Sequence, residues 1–131
     1  MSIFARYAPF YHAKKMSVIP LHVNSKRPLT TAWSDFSEYL VPDDIHQQWM
    51  SLPADHNIGL VLGRQSNVGA LDIDYADQDL IDAILEMLPA GYDKWKRIGA
   101  KGMVLAFRFN PKVPRAFKII NKQKGTLVEY L

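Results

Sequence analysis

Residues 57–75 read Asn57-Ile58-Gly59-Leu60-Val61-Leu62-Gly63-Arg64-Gln65-Ser66-Asn67-Val68-Gly69-Ala70-Leu71-Asp72-Ile73-Asp74-Tyr75. Two apolar runs flank a polar turn at 63–67, and the second run ends in two carboxylates. Side chains two apart on a strand project to the same side. Asp72 and Asp74 therefore stand side by side, next to the buried alternates Leu71 and Ile73. The earlier alternates Val68 and Ala70 are apolar too, which marks a central strand whose C-terminal end opens on a site. Two like charges at the end of a core strand repel and resist desolvation unless a cation sits between them. That geometry holds divalent metal for phosphoryl chemistry. Aspartates simply solvated where a strand meets its loop give the same pattern, and the pattern alone leaves both readings open.

The frame around this stretch is that of a globular chain. At 131 residues it is expected to form one domain, residues 1–131, with 48% apolar and 22% charged residues, which argues against disorder. No apolar run approaches the roughly 20 residues needed to cross a bilayer, and the N-terminal stretch lacks a long apolar signal segment. The expectation is a cytoplasmic protein with no membrane partner. Without cysteine there are no disulfides and no thiolate metal sites.

Charge is unevenly distributed. Residues 1–42 carry five basic and two acidic groups, residues 43–86 one basic and nine acidic, and residues 87–131 ten basic and two acidic. Basic segments beside an acidic one suit a polyanion held near metal-binding carboxylates. Solvated faces account for the same numbers.

The element order is mixed. A short helix is expected over 9–15, because proline suits the first turn, and a strand over 17–23. A basic turn follows at 24–28. A second helix starts at Pro42-Asp43-Asp44, with Ile45, Trp49 and Met50 on one face. The clearest helix runs over 77–88, where Leu80, Ile81, Ile84, Leu85 and Leu88 form an apolar stripe behind Asp77 or Asp79. From Lys96 on the pattern turns to strands, at 103–109, 117–120 and 126–131, with a hairpin-like turn over 121–125. The chain ends at Leu131 inside an expected strand, which reads as a C-terminally truncated piece of a larger protein.

Three further features carry chemistry. In Gly99-Ala100-Lys101-Gly102-Met103-Val104-Leu105-Ala106-Phe107-Arg108, bulky Met103, Leu105 and Phe107 alternate with small Val104 and Ala106, and Arg108 ends the small face. Small side chains leave room for a bound group, and a lysine beside a glycine turn can reach a phosphate; a half-buried strand with a surface arginine is the plainer reading. Glu129, inside an apolar strand, is either a third metal ligand or faces solvent at an edge. His12, His22, His46 and His56 show no metal-ligand spacing and read as surface or local hydrogen-bonding residues. No nucleophile elbow or Walker-type loop is present.

Taken in order, these segments resemble the N-terminal domain of bifunctional DNA primase/polymerases, within the archaeo-eukaryotic primase superfamily. The resemblance is carried by Val18-Ile19-Pro20-Leu21, the Lys26-Arg27-Pro28 turn, Trp33, the helix near Trp49, residues 57–63, a Ser-x-x-Gly turn at 66–69 and the Asp-x-Asp pair. It implies an α+β fold, with an RRM-like antiparallel sheet carrying the carboxylates and an N-terminal α/β portion beside it. It implies that Asp72, Asp74 and Glu129 bind Mg2+ or Mn2+, and that single-stranded DNA template and nucleoside triphosphates are the partners. Lys101, Arg108 and Arg64 are the implied triphosphate contacts, and Lys26 and Arg27 the candidates for template or phosphate. A helicase-like ATPase in the same or a neighbouring chain is the implied replication partner.

The sequence departs from the family pattern at the second motif. Ser-Gly-Gly-x-His reads Ala100-Lys101-Gly102-Met103-Val104, a Gly-x-Lys-Gly version associated with phage-type and mobile-element relatives. Val104 at the usual histidine position keeps open a non-catalytic nucleic-acid-binding module, and the same carboxylates would also serve a metal-dependent nuclease.

Overall fold

A computed structural model describes residues 1–74, 77–88, 96–98, 102–112, 117–121 and 125–130, with the backbone alone at 117–121 and 125–127. The chain divides into two compact units, Met1–Asn67 and Val68–Leu131.

In the first unit, helix α1 spans Ile3–Ala13. It starts six residues before the proline expected to open it, because its first N–H groups are satisfied without Pro9. Ile3 N–H donates to Asp55 Oδ1 at 2.9 Å, Phe4 N–H to the His56 carbonyl at 2.9 Å, and Ala5 N–H to Ser2 Oγ at 3.0 Å. Pro9 then lies inside the helix, where it removes one backbone bond. Burial of Phe4, Ala5 and Ala8 anchors the turns before it.

Strand β1, Val18–Pro20, pairs antiparallel with β2, Ile58–Leu60. The strand expected over 17–23 shortens to three residues because the chain folds back after it, and Leu21 bridges Pro28. A 3-10 helix, Trp33–Ser37, and helix α2, Asp43–Met50, complete the unit. Ile45, Trp49 and Met50 of α2 face inward as expected. Trp49 joins two clusters, meeting Phe4 edge-on at 6.2 Å and Phe36 at 5.9 Å. Phe4 and Val41 are fully enclosed, and burial of each side chain of that size contributes about 1.5–3 kcal/mol.

The second unit contains β3, Val68–Ile73, helix α3, Gln78–Glu86, and strands β4, Lys96–Ile98, β5, Met103–Arg108, β6, Phe117–Asn121, and β7, Gly125–Tyr130. The sheet order is β4-β5-β3-β7-β6, and every neighbouring pair is antiparallel. β3 is central, as its apolar alternates require. Asp77 caps α3 by accepting from Asp79 N–H at 3.0 Å and Leu80 N–H at 3.2 Å. The stripe Leu80, Ile81, Ile84, Leu85 and Leu88 packs with Leu71, Ile73, Met103, Leu105, Phe107 and Val128. The turn expected between the last two strands has its centre, 122–124, outside the described residues.

The fold is thus α+β. The two apolar runs of the 57–75 stretch belong to different sheets, β2 pairing with β1, and β3 with β5 and β7. Among the described residues no helix is long and apolar enough to cross a membrane.

Candidate active site

Strand register assembles the site. Asp72 is the direct partner of Glu129 on β7 and of Val104 on β5, and Val104 is the partner of Arg97 on β4. Directly opposed residues of antiparallel strands share a face. Arg97, Val104, Asp72 and Glu129 therefore form one row, on the side of the sheet opposite α3. Strand spacing puts the Arg97 backbone about 10 Å from that of Asp72. Asp72 and Glu129 are both half-buried.

Asp74 follows the end of β3 and is exposed. Among the described residues no three His, Cys, Asp or Glu side chains stand grouped to hold a metal ion. What register brings together is the pair Asp72 and Glu129, with Asp74 just beyond the strand. Arg108 pairs with Val68, so it shares the carboxylate face but sits about 13 Å along the strand from Asp72. Ala70 and Ala106, themselves partners, lie between them. Lys101 lies outside the described residues.

The remaining expected contacts belong to the first unit. Lys26 and Arg27 are exposed in the turn closed by the Leu21–Pro28 bridge, and the Arg27 carbonyl accepts from His22 N–H at 2.9 Å. Arg64 is also exposed, its Nε 3.5 Å from Glu38 Oε2.

Two features escaped the sequence reading. Arg97 is one: its strand is three residues long, too short for a periodic signal, and only pairing places it in the carboxylate row. The histidines are the other, because His46 and His56 are buried rather than superficial. His56 Nδ1 lies 2.9 Å from the Leu21 carbonyl, which can only accept, so that nitrogen carries the proton. His46 stacks on His12 with centroids 4.1 Å apart and planes 9° from parallel, and His12 Nε2 meets Asp43 Oδ1 at 2.8 Å. Burial, and then the charge of His12, push the His46 pKa down, against a smaller upward pull from Asp43. The hydrogen bond from His12 holds Asp43 below the usual carboxylate range. His12 and His46 are 34 residues apart in sequence, which is why spacing did not reveal the pair.

This antiparallel sheet places two carboxylates, Asp72 and Glu129, opposite each other on its central and neighbouring strands. The chain matches the family described as bifunctional DNA primase/polymerase, N-terminal, over residues 8–129, and it belongs to that family. A comparison with curated proteins gave no match. In register, Val104 is the immediate neighbour of Asp72. The carboxylates fit Mg2+ or Mn2+ by donor type, since hard cations of this size prefer carboxylate oxygen.

Proposed function

We propose that this domain carries out metal-dependent, template-directed nucleotidyl transfer in DNA replication, with Asp72, Asp74 and Glu129 as its metal-holding residues. The observation that carries the reading is the opposed register of Asp72 and Glu129 on the central and neighbouring strands. Two carboxylates placed directly across a ladder bring oxygen donors from two adjacent strands side by side, the donor type that Mg2+ and Mn2+ prefer. Bound there, Mg2+ or Mn2+ would polarise a primer hydroxyl and offset charge on the leaving pyrophosphate.

The chain's own residues have separate tasks. Asp72 and Glu129 orient ligand oxygens from two adjacent strands, so that a shift of either strand would misplace both. Arg97 and Arg108 supply fixed positive charge on the same face, at its β4 edge and at the far end of β5, for a nucleoside triphosphate. Ala70 and Ala106 keep the strip between Asp72 and Arg108 low. Lys101 is a further triphosphate contact by its motif position, and Lys26, Arg27 and Arg64 are candidates for strand or phosphate contacts on charge alone. The Gly-x-Lys-Gly motif supports a phage or mobile-element setting, with a helicase as the partner activity.

The test is primer synthesis on a single-stranded template with labelled nucleotides and Mg2+ or Mn2+. Activity retained by Asp72→Ala with Asp74→Ala would eliminate the mechanism. One observation favours a second reading: Val104 places an apolar side chain beside Asp72 where the family carries imidazole. A domain that binds strands but neither metal nor nucleotide, read by titration calorimetry, is the outcome that supports it.

A further inference from the structure

Helix α1 carries two apolar stripes, and the fold buries one of them. Phe4, Ala5 and Ala8 face the core of the first unit. On the other side Ile3, Tyr7 and Phe10 follow at helical spacing and are 39%, 49% and 61% exposed. Lys14 continues the same row, with its Nζ 4.9 Å from the centre of the Phe10 ring. Arg6 is exposed beside Tyr7, Lys15 follows the helix, and α1 itself contains no acidic residue. The two carboxylates hydrogen-bonded to the helix are engaged, Asp55 at the Ile3 amide and Asp43 at His12.

An apolar face meant for another protein is depleted of charge at its centre and rarely carries lysine there. Here cations flank the exposed aromatic rings, Arg6 beside Tyr7 and Lys14 beside Phe10, the combination that suits a ligand offering flat π faces and a negative backbone. Phe10 is steadied by an edge-on contact with Tyr11 at 5.3 Å, so stacking on it costs little side-chain freedom. A base stacked on this ring brings its phosphate within reach of an ammonium already resting there.

We propose that the exposed face of α1 is a stacking platform for single-stranded nucleic acid, with bases on Tyr7 and Phe10 and phosphates on Lys14 and Arg6. The platform rests on the reading above for its ligand class, a template strand, and adds where that strand is held. It requires neither metal nor nucleotide, which separates the two claims experimentally.

The experiment is fluorescence anisotropy of a labelled oligothymidylate with the whole chain, metal-free, across a salt series. Tyr7→Ala with Phe10→Ala is expected to weaken binding roughly tenfold or more. Lys14→Gln is expected to reduce the slope of log affinity against log salt by about 0.7. Ultraviolet cross-linking of the unaltered protein should attach the strand to α1, a readout independent of how any variant folds. Unchanged affinity and slope in the α1 variants overturns the platform even if synthesis proceeds. So do cross-links found only elsewhere, or a self-association that vanishes in the aromatic variant while strand binding stays intact.

Discussion

Asp72 and Glu129 face one another across the β3–β7 ladder, each the other's direct register partner on adjacent antiparallel strands. Their side chains share the sheet face opposite α3, whose apolar stripe claims Leu71, Ile73 and Val128 on the other side. That they share a face is a consequence of alternation within each strand. A slip of one residue in either strand would send one carboxylate into the α3 core.

That relationship predicts a metal-dependent stability. Mn2+ at about a hundred times its dissociation constant should stabilise the folded chain by about 2.7 kcal/mol. Asp72→Asn or Glu129→Gln should abolish most of that gain. Thermal melts with and without Mn2+ measure it directly. An equal metal-induced shift in all three proteins would remove the two carboxylates from the metal site.

Val104 offers a gain-of-function test. It stands directly beside Asp72, at the position where the resemblance expects histidine. Val104→His is expected to tighten nucleoside triphosphate binding by about tenfold, the effect of one added charge-assisted hydrogen bond of about 1.5 kcal/mol. Calorimetric titration of nucleotide in the presence of Mg2+ gives the comparison. No gain would mean that the motif departure is not what limits nucleotide binding.

The strand placement of Asp72 and Glu129 was legible because both lie on regular strands. Alternation alone put Asp72 on one face and Leu71 and Ile73 on the other, and it separated the bulky from the small side of β5. The capped stripe of α3 was equally plain. What alternation cannot show is pairing. Nothing local indicates that β2 and β3, a few residues apart, enter different sheets, or that Arg97 joins the Asp72 row through β5. The start of α1 was misread because Pro9 is a stronger local signal than Ser2, whereas the helix is anchored by Asp55 and His56 from far along the chain. His46 was read as a surface or local hydrogen-bonding residue because its burial depends on packing between α1 and α2, a tertiary contact without a periodic trace.

Gly63 gives a backbone prediction in the turn between the two apolar runs. Its φ of +134° lies where side chains are disfavoured, and a Cβ there would come within 3.0 Å of the Ser37 carbonyl oxygen. Gly63→Ala should therefore destabilise the chain by about 1–3 kcal/mol. Chemical denaturation should show this as a lower midpoint with an unchanged slope. A midpoint within error of the unaltered protein would mean that the turn relaxes freely around the new methyl group.

The stacked histidines predict how stability varies with pH. Burial and the neighbouring His12 lower the His46 pKa from its ordinary 6.5, so the folded chain takes up a proton there less readily than the unfolded chain. Its neutral imidazole lies against Phe4 at 6.2 Å and His12 at 4.1 Å, with Asp43 near the pair and Lys15 acting on Asp43. The unfolded state then binds more protons between the lowered folded pKa and 6.5, so stability rises with pH across that window. It is fully present above 6.5 and is lost as the pH falls through 6.5 toward the folded value. Asp43 acts in the same direction at lower pH, because its carboxylate is held below its ordinary 3.8 chiefly by the hydrogen bond from His12. Denaturation midpoints measured across the histidine window should therefore fall on acidification for the unaltered chain and much less for His46→Phe, which keeps a flat ring beside His12 but cannot titrate. Equal pH dependence in the two proteins would show that the stacked pair does not set the acid response of the first unit.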